Sequence, residues 1–157
     1  MNFPILSSII FLPLLGSIFI LLSKSHSNNQ GAIYVSLFTS IANLFLSLFL
    51  WYSFDKTYNG FQFIEESNWI SGFIKFKLGV DGISILFIVL TAFITPICVI
   101  SCINSVKDRI KEFLIAILIL ETFMIGVFCS LDLVIFYLFF EAGLIPMFLI
   151  IGVWGGP

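Results

Sequence analysis

Five apolar runs, each long enough to cross a bilayer and separated by links that carry most of the charged residues, constrain this chain before any motif does. A spanning helix needs about 20 predominantly apolar residues. That length recurs at about residues 3–23, 32–54, 82–104, 112–130 and 132–153. The composition agrees: 60% of residues are hydrophobic and 10% charged, against about 45–50% and 25% in soluble domains. The expected fold is a single all-α integral membrane domain of five transmembrane helices over residues 1–157. A net charge of -2 with scattered basic residues leaves no nucleic-acid footprint and no polybasic lipid-binding arm. Membrane lipids are the expected surroundings. The 20 phenylalanines, with plentiful Ile and Asn, suit an AT-rich genome such as an organelle's.

The first run stays on as helix 1. A secretory signal would begin with basic residues and a transit peptide would be Arg-rich, whereas the first basic residue here, Lys24, follows the apolar stretch. Residues Lys24 to Gln30 then form a short polar loop that contains the lone His26. Cys98 and Cys102 sit inside an apolar run and Cys129 near the end of another, so they read as small apolar residues and no metal site is expected.

The link from Asp55 to Asp81 is the only sizeable extramembrane piece. Its Phe73 to Leu78 stretch alternates apolar and basic residues after a Ser71-Gly72 turn signal, which predicts a short surface strand or hairpin between helices 2 and 3. Asp81 is placed to cap helix 3 and Asp132 to cap helix 5. Helices 4 and 5, joined by a few residues around Leu131, form a tight antiparallel hairpin. Lys24, Lys107, Arg109 and Lys111 lie in the two short links, whereas Lys56, Lys75 and Lys77 share the longer one with four acids. The positive-inside rule weighs short loops most, so the link between helices 3 and 4 is expected on the matrix or cytoplasmic side.

Two acids interrupt the runs, Glu141 in the fifth and Glu121 in the fourth. A carboxylate at the centre of a spanning helix costs about 2.5–3.5 kcal/mol on insertion scales, so it requires a partner, a proton or a water-lined cavity. Both are candidate proton-translocating groups, with Glu141 the foremost. The other reading of Glu141 is a protonated carboxyl that hydrogen-bonds a neighbouring helix. Each acid is ten residues from Leu131, so both should lie about 15 Å from the same membrane face at 1.5 Å per residue. If both face inward, they form a coupled pair, with Tyr137 as a hydroxyl relay one turn before Glu141. Otherwise Glu121 faces a different subunit or stays protonated. Pro146 denies the carbonyl of Ala142 its usual donor and leaves a spot that water can hydrate, or it is an ordinary kink in a membrane helix.

GVDGIS before helix 3, then GVFCSLDLVIFYLFFEAGLIPMFLIIGVWGG, resembles the N-terminal part of subunit 4 (subunit M in bacteria) of respiratory complex I, the proton-pumping NADH:quinone oxidoreductase. Spacing and identity agree in helices 3 to 5, hydrophobicity and order alone in helices 1 and 2. The resemblance implies a partial antiporter-like subunit of a larger or split protein. Glu141 would be the glutamate of the fifth helix that faces a buried lysine on a later one, Glu121 the acid of the fourth, and Pro146 the proline beyond the key glutamate. It also implies a non-redox part in a translocase: NADH, flavin, iron-sulfur clusters and quinone would bind other subunits, leaving no cofactor in this chain. The implied partners are the other membrane-arm subunits and a second polypeptide that supplies the remaining helices and the lysine. The implied location is the mitochondrial inner membrane or a bacterial plasma membrane. A subunit of a multisubunit cation/proton antiporter and a non-pumping structural membrane protein are the alternatives.

Overall fold

A computed structural model describes residues 4–23, 30–70 and 74–155. The elements are helix α1 (Ile5–Leu22), helix α2 (Gln30–Tyr52), strands β1 (Gln62–Ile70) and β2 (Ile74–Val80), then helices α3 (Ser84–Ser105), α4 (Ile110–Cys129) and α5 (Leu133–Trp154). All five helices are long and apolar enough to cross a membrane. The expected loop around His26, the Ser71-Gly72 turn and the Gly156-Pro157 end lie outside the described residues.

Helices α1 to α4 close into a ring in which each packs on the next, α4 returns to α1, and α2 touches α4 across the middle. Helix α5 stands outside the ring, packed along α4. The ring's interior has two apolar halves. Ile5, Ile9, Leu50, Ile88 and Ile125 fill the half beside the hairpin. Ile20, Val99, Leu114 and Leu118 fill the other. Between them every helix of the ring places polar or helix-loosening residues: Pro13, Gly16 and Ser17 on α1, Ser40 and Asn43 on α2, Thr91, Thr95 and Pro96 on α3, Glu121 and Thr122 on α4.

Small residues decide how the helices approach. The buried face of α2 is Ala32, Ser36, Thr39, Ser40, Asn43, Ser47 and Leu50, a stripe at three- and four-residue spacing. In a bilayer, where helices gain nothing from leaving water, such stripes let backbones come close and dispersion contacts accumulate. Gly16 of α1 shows how close: a Cβ there would lie 2.7 Å from the Thr39 side chain. Gly126 of α4 likewise admits the ring of Phe139, which a Cβ would meet at 2.8 Å.

The strands pair antiparallel, with Glu66 opposite Lys77 and Ser67 opposite Phe76, forming the expected hairpin. Its charges face outward: Lys75 Nζ lies 2.7 Å and Lys77 Nζ 3.4 Å from the Glu66 carboxylate. The Lys75 ammonium donates to the exposed Glu66 and holds its carboxyl below the usual range. Leu78 and Val80 are fully buried on the other side. Two contacts fasten this hairpin over one end of the bundle. The amide of Leu131, in the α4–α5 turn, donates to the Lys77 carbonyl at 2.9 Å. Glu65 accepts the Leu6 amide at 2.8 Å and the Ser7 amide at 3.1 Å, and also bonds the Ser7 hydroxyl. Glu65 thus caps α1 from 59 residues away, because Pro4 at the cap position offers no side-chain acceptor. At the opposite end Lys111 donates to the Ser23 carbonyl beyond α1, 2.7 Å away, a cation on the negative end of a helix.

Candidate functional site

Glu121 is 2% exposed and bonded to one group: Asn43 Nδ2 of α2 donates to its Oε1 at 2.9 Å. Two further atoms there, Glu121 Oε2 and Asn43 Oδ1, are buried without a hydrogen-bond partner. Asn43 escaped sequence reasoning, although the signal was present. A primary amide in the middle of an apolar span is costly for the same reason an acid is.

Glu141 stands elsewhere. The face of α5 turned to α4 carries Phe139, whose ring sits 6.4 Å from that of Phe123, and Gly143, which lies over Phe123. Glu141 follows Phe139 by two residues, about 200° around the helix, and is exposed on the outer face among Phe140, Leu144, Ile145 and Phe148. Tyr137, 58% exposed, shares that outer face one turn earlier. Within the described residues, then, Glu121 is enclosed by the bundle, whereas Glu141 lies on the face expected to meet a partner outside it.

Of the two arrangements open for the acids, the structure shows the one in which they do not both face inward. Each lies eight residues into its helix from the α4–α5 turn, so each is about 12 Å along its helix axis at 1.5 Å per residue. Their rotations differ, however. On α4, Phe123 points to α5 while Glu121, two residues before it, points to Asn43 on α2. The carboxyls turn to opposite sides of the α4–α5 pair, and no hydrogen bond joins them.

The supporting residues are placed as follows. Pro146 is buried within α5, which continues unbroken to Trp154. Asp132 caps α5, accepting the amides of Val134 at 2.9 Å and Ile135 at 3.2 Å. Asp81 accepts the Ser84 amide at 2.7 Å and the Ile83 amide at 3.2 Å, while the Ser84 hydroxyl accepts the Asp81 amide at 2.9 Å, a reciprocal capping box. The helix proper starts at Ser84, two residues after the expected start, because Gly82 and Ile83 form the entry turn. These bonds, the Ser84 amide foremost, hold the Asp81 carboxyl below the usual range. Among the described residues no group of three or more His, Cys, Asp or Glu side chains is arranged to hold a metal ion.

No family model matches the chain. Curated relatives do. NADH-ubiquinone oxidoreductase chain 4 of Marchantia polymorpha is 49% identical over 151 residues, covering 96% of this chain and 30% of that protein. NADH-quinone oxidoreductase subunit M of Rhodobacter capsulatus is 50% identical over 155 residues, covering 97% and 30%. Among solved structures, a chain of respiratory complex I from Thermus thermophilus with bound NADH superimposes with a TM-score of 0.77 at 25% identity, over 97% of this chain and 30% of that one. The chain thus spans about a third of the length of the curated relatives it matches.

Proposed function

We infer that this chain, similar over nearly its whole length to subunit M and chain 4 proteins of NADH-quinone oxidoreductases, is part of the membrane arm of such an enzyme and contributes to proton translocation there. The observation that carries the mechanistic reading is the position of Glu141. It is a carboxyl midway along a spanning helix, set among large apolar side chains on the face of α5 that points away from the four-helix ring. A carboxyl so placed requires a counter-group, a water path or a retained proton, and a carrier uses the first two on that same face. The remaining two thirds of a full-length subunit would pack there and supply a basic side chain. The approach of an ammonium favours the carboxylate and its withdrawal favours the acid, so movement of that partner would load and unload a proton at Glu141. Tyr137, on the same face, would extend the hydrogen-bonded path by one turn. Pro146 leaves the carbonyl of Ala142 without its i+4 donor, one residue beyond Glu141, as a site for water.

Hydride and electron transfer, with their cofactors, belong in this reading to other subunits of the enzyme. The location is an energy-transducing membrane, the mitochondrial inner membrane or its bacterial counterpart. Glu141→Gln in the assembled enzyme tests the assignment, because the amide is nearly isosteric and cannot deliver a proton. The enzyme should assemble normally on native gels and move fewer protons per NADH oxidised. An unaltered proton-to-electron ratio would remove Glu141 from the pathway.

A further inference from the structure

The two atoms left without partners in the bundle's interior are complementary. Asn43 Oδ1 is an acceptor, and Glu121 Oε2 becomes a donor when the carboxyl holds its proton. One proton on Oε2, donated to Asn43 Oδ1, would give both atoms a partner and turn the single 2.9 Å hydrogen bond into a two-bond ring. An ionised Glu121 satisfies neither, and it would place a negative charge at mid-membrane opposite one amide. The elements packed against Glu121 offer no cation to balance it. Helix α1 has no ionisable side chain, and α2 has Tyr34 and Tyr52, both exposed. Helix α3 has Cys98 and Cys102, of which Cys98 lines a cavity of about 230 Å³ beside Glu121 with Thr91 and Thr95. Both threonine hydroxyls donate to carbonyls of their own helix. The basic residue on α4 itself, Lys111, is occupied at the far end with the Ser23 carbonyl. Tyr137 and Glu141 of α5 face the other way.

We propose that Glu121 is a permanently neutral carboxylic acid closed into a two-hydrogen-bond pair with Asn43, and that this pair sets the rotation of α2 against α4. The rest of the α2 stripe cannot do so. The hydroxyls of Ser36, Thr39, Ser40 and Ser47 all donate to carbonyls of α2 itself. Small side chains permit close approach and resist sliding or turning weakly. Among the described residues, Asn43–Glu121 is the only hydrogen bond between the side chains of two spanning helices. A lone buried polar pair inside an otherwise apolar and small-residue interface is the arrangement best suited to fixing register. Glu121 is thereby a positioning residue, and its proton is part of the structure.

The test uses the full-length subunit in its native membrane assembly and three variants. Glu121→Gln can form the same ring as an amide pair, with no titratable proton. It should match wild type in melting temperature and in protons moved per electron. In an infrared difference spectrum, wild type against Glu121→Gln, a protonated-carboxyl C=O band should be lost, and that band should be constant across the pH range of activity. Glu121→Leu and Asn43→Leu should each lower the melting temperature, and the double variant should be less destabilised than their sum, because it removes both members of the pair. A reduced proton ratio in Glu121→Gln would make Glu121 a carrier and overturn the proposal. A carboxylate signature in the difference spectrum would equally overturn it, since water and not Asn43 would then serve Oε2. Additive leucine variants would show that the two residues do not act as a pair.

Discussion

Gly16→Ala puts the close packing of α1 on α2 to a quantitative test. The added methyl would lie 2.7 Å from both Thr39 Cγ2 and Thr39 Oγ1, and 3.0 Å from Thr39 Cβ. Carbon pairs are comfortable at about 3.5–4.0 Å, so the helices must part by roughly 0.8 Å at this level. Thr39 has little freedom to yield. Its hydroxyl is bonded to the Val35 carbonyl at 2.7 Å, it is branched at Cβ, and no rotation of the side chain moves the Cβ itself. Overpacking of this kind costs about 1–3 kcal/mol. Replacing glycine by alanine inside a helix returns up to about 1 kcal/mol. The difference is a net loss of about 0–2 kcal/mol, centred near about 1 kcal/mol, or roughly a fivefold fall in the folded-to-unfolded ratio at that central figure. Thr39→Ala in the same chain deletes both 2.7 Å contacts and leaves only the 3.0 Å one, so most of the loss should be recovered. The measure is retention of the subunit in its assembly on native gels as temperature rises, for the two single variants and the pair. Unchanged retention in Gly16→Ala, or no recovery on adding Thr39→Ala, would refute the reasoning. The effect should also reach further along α2, because Asn43 lies one turn beyond Thr39 and its 2.9 Å bond to Glu121 depends on where α2 sits.

Other perturbations act at the helix ends. Asp132→Ala removes the acceptor for the Val134 and Ile135 amides, which should cost about 1 kcal/mol and appear as faster hydrogen exchange confined to the first turn of α5. Glu65→Ala uncaps α1 at Leu6 and Ser7 and unfastens the hairpin from it, so those two amides and the β1 strand should lose protection together; loss at one alone would separate the two roles. For Asp81 the sign follows from its carboxyl being held low in the folded protein by the Ser84 amide. Its contribution is fully present above the ordinary aspartate value of 3.8 and is lost only as pH falls through the lower folded value. Protection of the Ile83 and Ser84 amides should therefore survive mild acid and fail in strong acid, and Asp81→Asn should abolish that acid dependence. Fraying already at about pH 5 would contradict it.

How much of this was legible in the sequence depends on which geometric variable is asked about. Span and depth were readable, because hydropathy reports how far an apolar run extends and the rise per residue converts position to depth. The five helices and the hairpin follow from that, and so do the caps at Asp81 and Asp132, since a cap is a local arrangement of a side chain and amides two or three residues on. Rotation was not readable. The hydrophobic face of α5 is nearly continuous, so nothing in its own residues says that Phe139 turns to α4 and Glu141 turns outward. What decides it is on the other helix: Gly126 leaves the hole that the Phe139 ring fills. The Glu65 cap on α1 was out of reach for a related reason, since its partner is 59 residues away and is selected by how the hairpin lies on the bundle.

That division also explains why the two acids, so similar in sequence, differ in surroundings. In a bilayer an acid's chemistry is set by what faces it, and what faces it is set by rotation. Gly126 turns α5 so that Glu141 points away from everything α4 offers. The α2 stripe, with Gly16 behind it, brings Asn43 against Glu121. Exchanging small for larger residues at these contacts would displace the helices without altering either acid. The surroundings of both carboxyls therefore depend on uncharged neighbours: Gly126 admits the Phe139 ring between α4 and α5, and Gly16 with the small α2 side chains admits the close approach at which Asn43 reaches Glu121.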